Sequence, residues 1–145
     1  MEYKKYGDIY YVRMDRGDEI IESLLALCRR EKISSCTYTG IGGCAKAEIQ
    51  TYLPEEGTFE TTVLEGTLEL VNLIGSIISD ETDQLFHHTH ATFSYKTDSG
   101  HEMAGGHMKS MLVSYTAEIT LKPVEGGSIK RQYDEETGTG FWKFT

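Results

Sequence analysis

The chain has 145 residues, 39% hydrophobic and 26% charged, which suits one domain that buries roughly 68–70% of the surface its unfolded chain exposes. Fourteen basic against 23 acidic residues leave a formal charge of −9, a balance that repels phosphate backbones and anionic lipid headgroups. Basic residues adjoin only as the pairs Lys4 and Lys5, Arg29 and Arg30, and Lys130 and Arg131, so no basic run marks a nucleic-acid arm.

IYYVRM at 9–14 is β-branched and aromatic and predicts a strand. DRGDE follows as a turn, with Asp18 placed to cap a helix. Ile20, Ile21, Leu24, Leu25, Leu27 and Cys28 then recur at helical spacing and predict one amphipathic helix over 18–31. SCTYT at 35–39 reads as a short strand, GIGG at 40–43 as a glycine turn, and 45–53 as a second strand. GIGG is not GxGxxG and lacks a Walker lysine, which argues against a nucleotide loop. FETTVLE at 59–65 alternates as a strand, and TLELVNLIGSII at 67–78 is apolar enough to be buried on both faces. Glu69 lies inside that run; a carboxylate there either finds a partner, proton or metal, or points outward at an edge.

LVSYTAEITL at 112–121 has a period of two, with Val113, Tyr115, Ala117, Ile119 and Leu121 on one face. Residues 128–133 and 141–144 are short closing segments. There is no internal repeat or domain boundary, so residues 1–145 read as one α+β domain. Its fold is a mostly antiparallel sheet with one main helix. Cys28, Cys36 and Cys44 lack CxxC spacing and predict buried, reduced thiols. The stretch MEYKKYGDIYYV has no apolar signal region, and no apolar run approaches a membrane span, so the expected setting is soluble and cytoplasmic.

All five histidines fall within FHHTHATFSYKTDSGHEMAGGH at 86–107. If 88–95 is a strand, His88, His90, Thr92 and Ser94 share its polar face and Thr89, Ala91, Phe93 and Tyr95 the other. His88 and His90 then have Cα atoms roughly 6.5–7 Å apart, and both imidazoles converge on one point. KTDSGHE is the reversing turn, and a return strand through 103–107 brings His107 beside the pair. His-x-His plus a third histidine is a three-imidazole zinc arrangement with a fourth position open; iron, copper and nickel accept the same donors. The competing readings are surface or hydrogen-bonded histidines, and a pH sensor titrating near pH ~6–7. His87 points to the opposite face and His101 sits in the turn, so neither is expected to be a ligand.

His88-Thr89-His90 followed by Gly105-Gly106-His107 resembles the HxH…GGH signature of the plants-and-prokaryotes conserved (PPC) domain. MDRGDEIIE at 14–22, YTGIGGCA at 38–45, GTLELVNLIGS at 66–76, Ala117-Glu118-Ile119 and Arg131…Thr137-Gly138 are similar to further segments of that family in the same order. The interval from His90 to Gly105 is a few residues longer than the usual pattern, with SGHE in the hairpin tip as the insertion. The resemblance implies a compact, strongly curved α+β domain that assembles as a homotrimer, with the family glutamate at Glu69. Family members commonly carry a DNA-binding or regulatory label, and plant relatives touch DNA through a separate AT-hook. No Arg-Gly-Arg-Pro-like hook occurs here, and proline stands only at Pro54 and Pro123. The fold the resemblance implies is also similar to acetolactate decarboxylase, whose zinc is held by an HxH pair and a later histidine.

Two functions follow as expectations. In the first, the protein is a regulatory or scaffold trimer of the DNA-binding-labelled family that carries a three-His metal site and acts through protein partners. In the second, it is a metal-dependent small-molecule enzyme, lyase- or hydrolase-like. There a zinc held by His88, His90 and His107 polarises a carbonyl or activates water, with Glu69 as fourth ligand or general base. A purely structural metal that fixes the trimer is the third option; such a site is normally closed by four protein ligands.

Overall fold

The computed structural model describes residues 1–144. Their elements run β1 (Glu2–Tyr6), β2 (Ile9–Asp15), α1 (Ile20–Glu31), β3 (Ser35–Leu53), β4 (Thr58–Ser79), β5 (Leu85–Thr97), β6 (Gly100–Pro123), β7 (Ile129–Asp134) and β8 (Thr139–Phe144).

The helix forms where the apolar spacing places it, and all six periodic residues from Ile20 to Cys28 are buried. Each large aliphatic side chain so buried contributes about 1.5–3 kcal/mol. The cap departs from expectation: Glu19, not Asp18, accepts from the Glu22 amide at 2.7 Å. Asp18 instead accepts from the Asp15 amide at 2.8 Å inside the turn. The other Glu19 oxygen accepts from the Met111 amide at 2.8 Å. One longer side chain thus caps the helix and ties it to β6. The helix stops at Lys32, which is left-handed at φ 55°, and the Ile33 amide returns to the Cys28 carbonyl at 2.8 Å.

Six strands form one antiparallel sheet in the order β1-β2-β6-β3-β4-β5, and β5 pairs back onto β6. The pairings β3–β4, β4–β5, β5–β6 and β6–β3 therefore make a closed cycle, which gives the sheet its strong curvature. β6 is long enough to serve several neighbours: its first half pairs with β5, its second half with β2, and β3 lies along most of its length.

Three breaks expected from the sequence are not breaks. GIGG lies inside β3, where the register slips between Gly40 and Gly42. Gly66 lies inside β4, and residues 103–121 run as one strand inside β6. A bulge bends a strand without ending its ladder, so glycine marks curvature here rather than reversal. The same slippage turns Tyr115 outward: Gly42 opposes Ala117 but Cys44 opposes Val113, and Tyr115 is 73% exposed. β4 is not buried on both faces throughout; Leu68, Leu70 and Leu73 face the core while Glu69, Val71 and Ile74 face out. β1, rich in charge, was not anticipated and pairs with β2 across a turn at Gly7, φ 62°.

The core gathers the helix stripe with Met14, Tyr38, Leu73, Ile77, Phe93, Met111 and Leu121. Cys28, Cys36 and Cys44 are buried and free. β7 and β8 make a separate hairpin sheet. Lys130 fastens it to the end of β4, donating to Ser79 Oγ at 3.0 Å and to the Asp80 carbonyl at 3.1 Å. Tyr52 OH donates to the Thr137 carbonyl at 3.4 Å from β3. Among the described residues no helix is long and apolar enough to cross a membrane.

Candidate metal centre

The pleat of β5 sorts its side chains as alternation requires: His88 and His90 are exposed, and Thr89, Ala91 and Phe93 are buried. From Thr97 opposite Gly100 to His90 opposite His107, the β5–β6 ladder runs without a register shift. The longer hairpin therefore extends the ladder and leaves His107 in line with His90. Gln50 of β3 lies on the other side of His107. Gly105 permits the close approach just before it, since a Cβ there would stand 2.5 Å from the Ala91 carbonyl oxygen.

The three rings face one another, with centroids 5.2 Å apart for His88 and His90, 5.4 Å for His88 and His107, and 5.6 Å for His90 and His107. One ring nitrogen from each lies within 4.8 Å of the other two. Tetrahedral zinc at ~2.0–2.1 Å from each nitrogen needs them roughly 3.3 Å apart, a separation that modest side-chain rotation supplies. Burial, with His88, His90 and His87 nearby, pushes His107 down to about 4. Burial and then His90 lower His88 as well. Both are neutral at pH 7, the form that ligates metal. A sensor titrating at ~6–7 does not describe His107.

His87 takes a different part. Its Nδ1 is 3.0 Å from Thr89 Oγ1, and Thr89 in turn hydrogen-bonds the buried Tyr38 hydroxyl. Its ring centroid lies 6.5 Å from that of His107, yet it is outside the three-nitrogen group. His101 is exposed near the hairpin tip, opposite Lys96. Glu69 is exposed on β4 opposite Ser94. That level is four residues along β5 from His90, roughly 13 Å away. The structure thus brings His88, His90 and His107 together and leaves Glu69 apart.

The imidazoles open onto a cavity of about 620 Å³ whose lining includes Phe59, Phe86, Arg131, Phe141 and Trp142. Phe59 stacks on His107 with centroids 5.6 Å apart. Sequence reasoning missed these walls, because the β7–β8 hairpin arrives from far along the chain and no spacing announces it. A second hollow, about 720 Å³, lies on the outer sheet face between β1, β2, β3 and β6 and holds no imidazole or thiol. The three converging imidazoles therefore border the smaller cavity.

Solved structures share this architecture. A protein from Bacteroides thetaiotaomicron described as a "putative DNA-binding protein" is 25% identical, with TM-score 0.88 over 99% of this chain and 96% of that one. A plant- and prokaryote-conserved (PPC) protein from Pyrococcus horikoshii is 27% identical, with TM-score 0.83 over 98% and 94%. A metal-containing protein from Archaeoglobus fulgidus is 24% identical and shares the fold, with TM-score 0.82 over 99% of both chains. No curated protein matches. Residues 1–125 match the model of the Plants and Prokaryotes Conserved (PCC) domain. On that match, which takes in the helix, the six-stranded sheet and all three converging histidines, the chain belongs to the Plants and Prokaryotes Conserved domain family.

Proposed function

We propose that this protein holds a divalent transition metal, zinc foremost, on His88, His90 and His107, and that the ion serves a small-molecule site. The observation that carries the reading is three imidazole nitrogens within 4.8 Å of one another, opening onto a cavity with no acidic residue in its lining. A structural site normally has a fourth protein ligand; here the group holds three imidazoles among the described residues, and all three line the cavity. The donor set fits the ion, being three imidazoles, of which His107 is held neutral by burial and His88 is lowered in the same direction by partial desolvation and His90. When bound, the metal supplies Lewis-acid polarisation of an oxygen or lowers the pKa of a bound water. The Archaeoglobus fulgidus relative described as metal-containing supports the same reading. The test is metal content by plasma mass spectrometry on tag-free protein beside His90→Ala. Stoichiometric metal that is lost in the variant is expected; no metal in either sample overturns the proposal.

We also infer a homotrimer. The family resemblance implies three copies, and Ile41, Val71, Ile74 and Tyr115, which are 57%, 47%, 55% and 73% exposed, are apolar side chains that an interface would cover. Light scattering should give about 49 kDa, three times the 16.3 kDa chain mass.

Direct DNA contact, the label some relatives carry, is the second reading. The charge of −9 opposes it. So does the pairing of Arg13, Lys46, Lys109, Lys122, Lys130 and Lys143, each with a carboxylate 2.8–3.2 Å away. A gel shift at falling salt decides it, since phosphate contacts strengthen as salt drops. Binding at low salt would restore the DNA reading. With the thiols buried and free, a reducing, cytoplasmic setting completes the proposal.

A further inference from the structure

The hairpin that walls the histidine cavity follows residue 125, where the family-model match ends, and holds the Arg131…Thr137-Gly138 segment that resembles the family. It brings Arg131 and Trp142, directly opposite each other in the β7–β8 ladder, to the cavity. Arg131 is half-buried, with its guanidinium carbon 4.4 Å from the centroid of the Phe86 ring. Gly140 makes room for it: a Cβ there would stand 2.5 Å from Arg131 Cζ. Its neighbours on the hairpin are neutralised, Lys130 by Asp83 at 3.1 Å and Lys143 by Glu81 at 3.2 Å. Among the described residues no carboxylate pairs with Arg131.

A chain with 23 acidic residues has placed none in this lining. The cavity thus carries the positive charge of a fixed guanidinium, to which a cation on the imidazoles would add. Aromatic rings make up much of the remaining wall, beside small and polar residues such as Ser76 and Thr139. Tyr52, Phe59, Phe141 and Trp142 are 36%, 46%, 50% and 49% exposed, and all four line the cavity. A volume of about 620 Å³ accommodates a small organic ligand.

We propose that the site takes a small aromatic carboxylate. Arg131 receives the carboxylate through paired N–H donors, the ring lies among the aromatic walls, and a second oxygen of the ligand faces the three imidazoles. A planar guanidinium matches a carboxylate as an ammonium does not, and a guanidinium stacked on a ring is already oriented for it. The inference rests on the preceding reading for the role of the metal, but not for the carboxylate subsite.

The experiment follows Trp142, the single tryptophan of the chain, while benzoate, salicylate or the neutral isostere benzamide is titrated into the full chain. Each titration is run with EDTA and again with zinc, and isothermal calorimetry checks the affinities. Benzoate should quench Trp142 and bind at least about tenfold more tightly than benzamide without metal, as a charged hydrogen-bond pair warrants. Salicylate, with an extra donor oxygen, should gain affinity on adding zinc, and His90→Ala should remove that gain alone. Arg131→Gln should abolish the preference for benzoate, and Arg131→Lys should recover only part of it. Equal binding of benzoate and benzamide by the wild-type protein, or an undiminished preference in Arg131→Gln, overturns the proposal. A benzoate preference in EDTA with no zinc-dependent gain for salicylate would overturn the ligand's approach to the imidazoles and leave the carboxylate subsite standing.

Discussion

Gly105→Ala tests how the ladder aims His107. The added Cβ would stand 2.5 Å from the Ala91 carbonyl oxygen and 3.1 Å from Thr92 Cα, both backbone atoms that no rotamer change can move. Ordinary contact begins near 3.4 Å, so β5 and β6 must part by about 0.9 Å at this level. Overpacking of that kind costs about 1–3 kcal/mol. At roughly 2–4 °C per kcal/mol for a chain of this size, the metal-free melting temperature should fall by about 2–12 °C. Gly106→Ala is the internal comparison. Its Cβ meets only the Gln50 carbonyl oxygen, at 3.3 Å, and should cost less than about 1 kcal/mol. Because His90 and His107 lie opposite each other two residues on, the parting should also weaken zinc binding in Gly105→Ala far more than in Gly106→Ala. Differential scanning calorimetry in EDTA gives the stability, and competition with a zinc dye gives the affinity. Equal stability and equal zinc affinity in the two variants would refute the reasoning.

Zinc at a hundred times its dissociation constant should stabilise the wild-type protein by about 2.7 kcal/mol. His90→Ala should lose that gain, while its metal-free stability stays within about 0.5 kcal/mol because the ring is exposed; thermal melts with and without zinc read both. Glu31 accepts from Tyr3 OH at 2.7 Å and Tyr10 OH at 3.1 Å, and these bonds hold its carboxyl below the usual 4.5. Its contribution is therefore present above pH 4.5 and lost as pH falls through the lowered folded value. Acid melts of Glu31→Gln should show a shallower decline than wild type across that window. Burial pushes the Cys44 thiol up to about 11, and Cys28 and Cys36, their sulfurs 3.7 Å apart, are equally enclosed. All three should resist a chromogenic disulfide reagent in the native protein and react together in guanidinium; rapid native reaction at any one would contradict the burial.

The sequence by itself determined the local patterns. A 3.6-residue period dictated α1, and the helix appears with every periodic residue buried. Alternation along 88–95 put His88 and His90 on one face of one strand, because the pleat leaves no other choice. It also spelled HxH…GGH, enough to suggest the family and the third histidine. Tertiary structure alone decided what depends on distant approach. GIGG reads as a turn locally, yet β4 and β6 on either side hold it as a bulge within a 19-residue strand. Glu69 reads equally as a buried, partnered carboxylate or as an outward-facing one, and only the pleat of the assembled sheet turns it outward. Asp18 is a good cap by type, but Glu19 has the reach to bond both the helix and β6. The walls of the cavity beside the three imidazoles come from β3, β4 and a hairpin more than 20 residues beyond His107. Periodicity reports only which side of its own element a residue faces. Whether Arg131 and His107 line one cavity depends on how the sheet curves and closes, and that is settled by packing among all the strands at once.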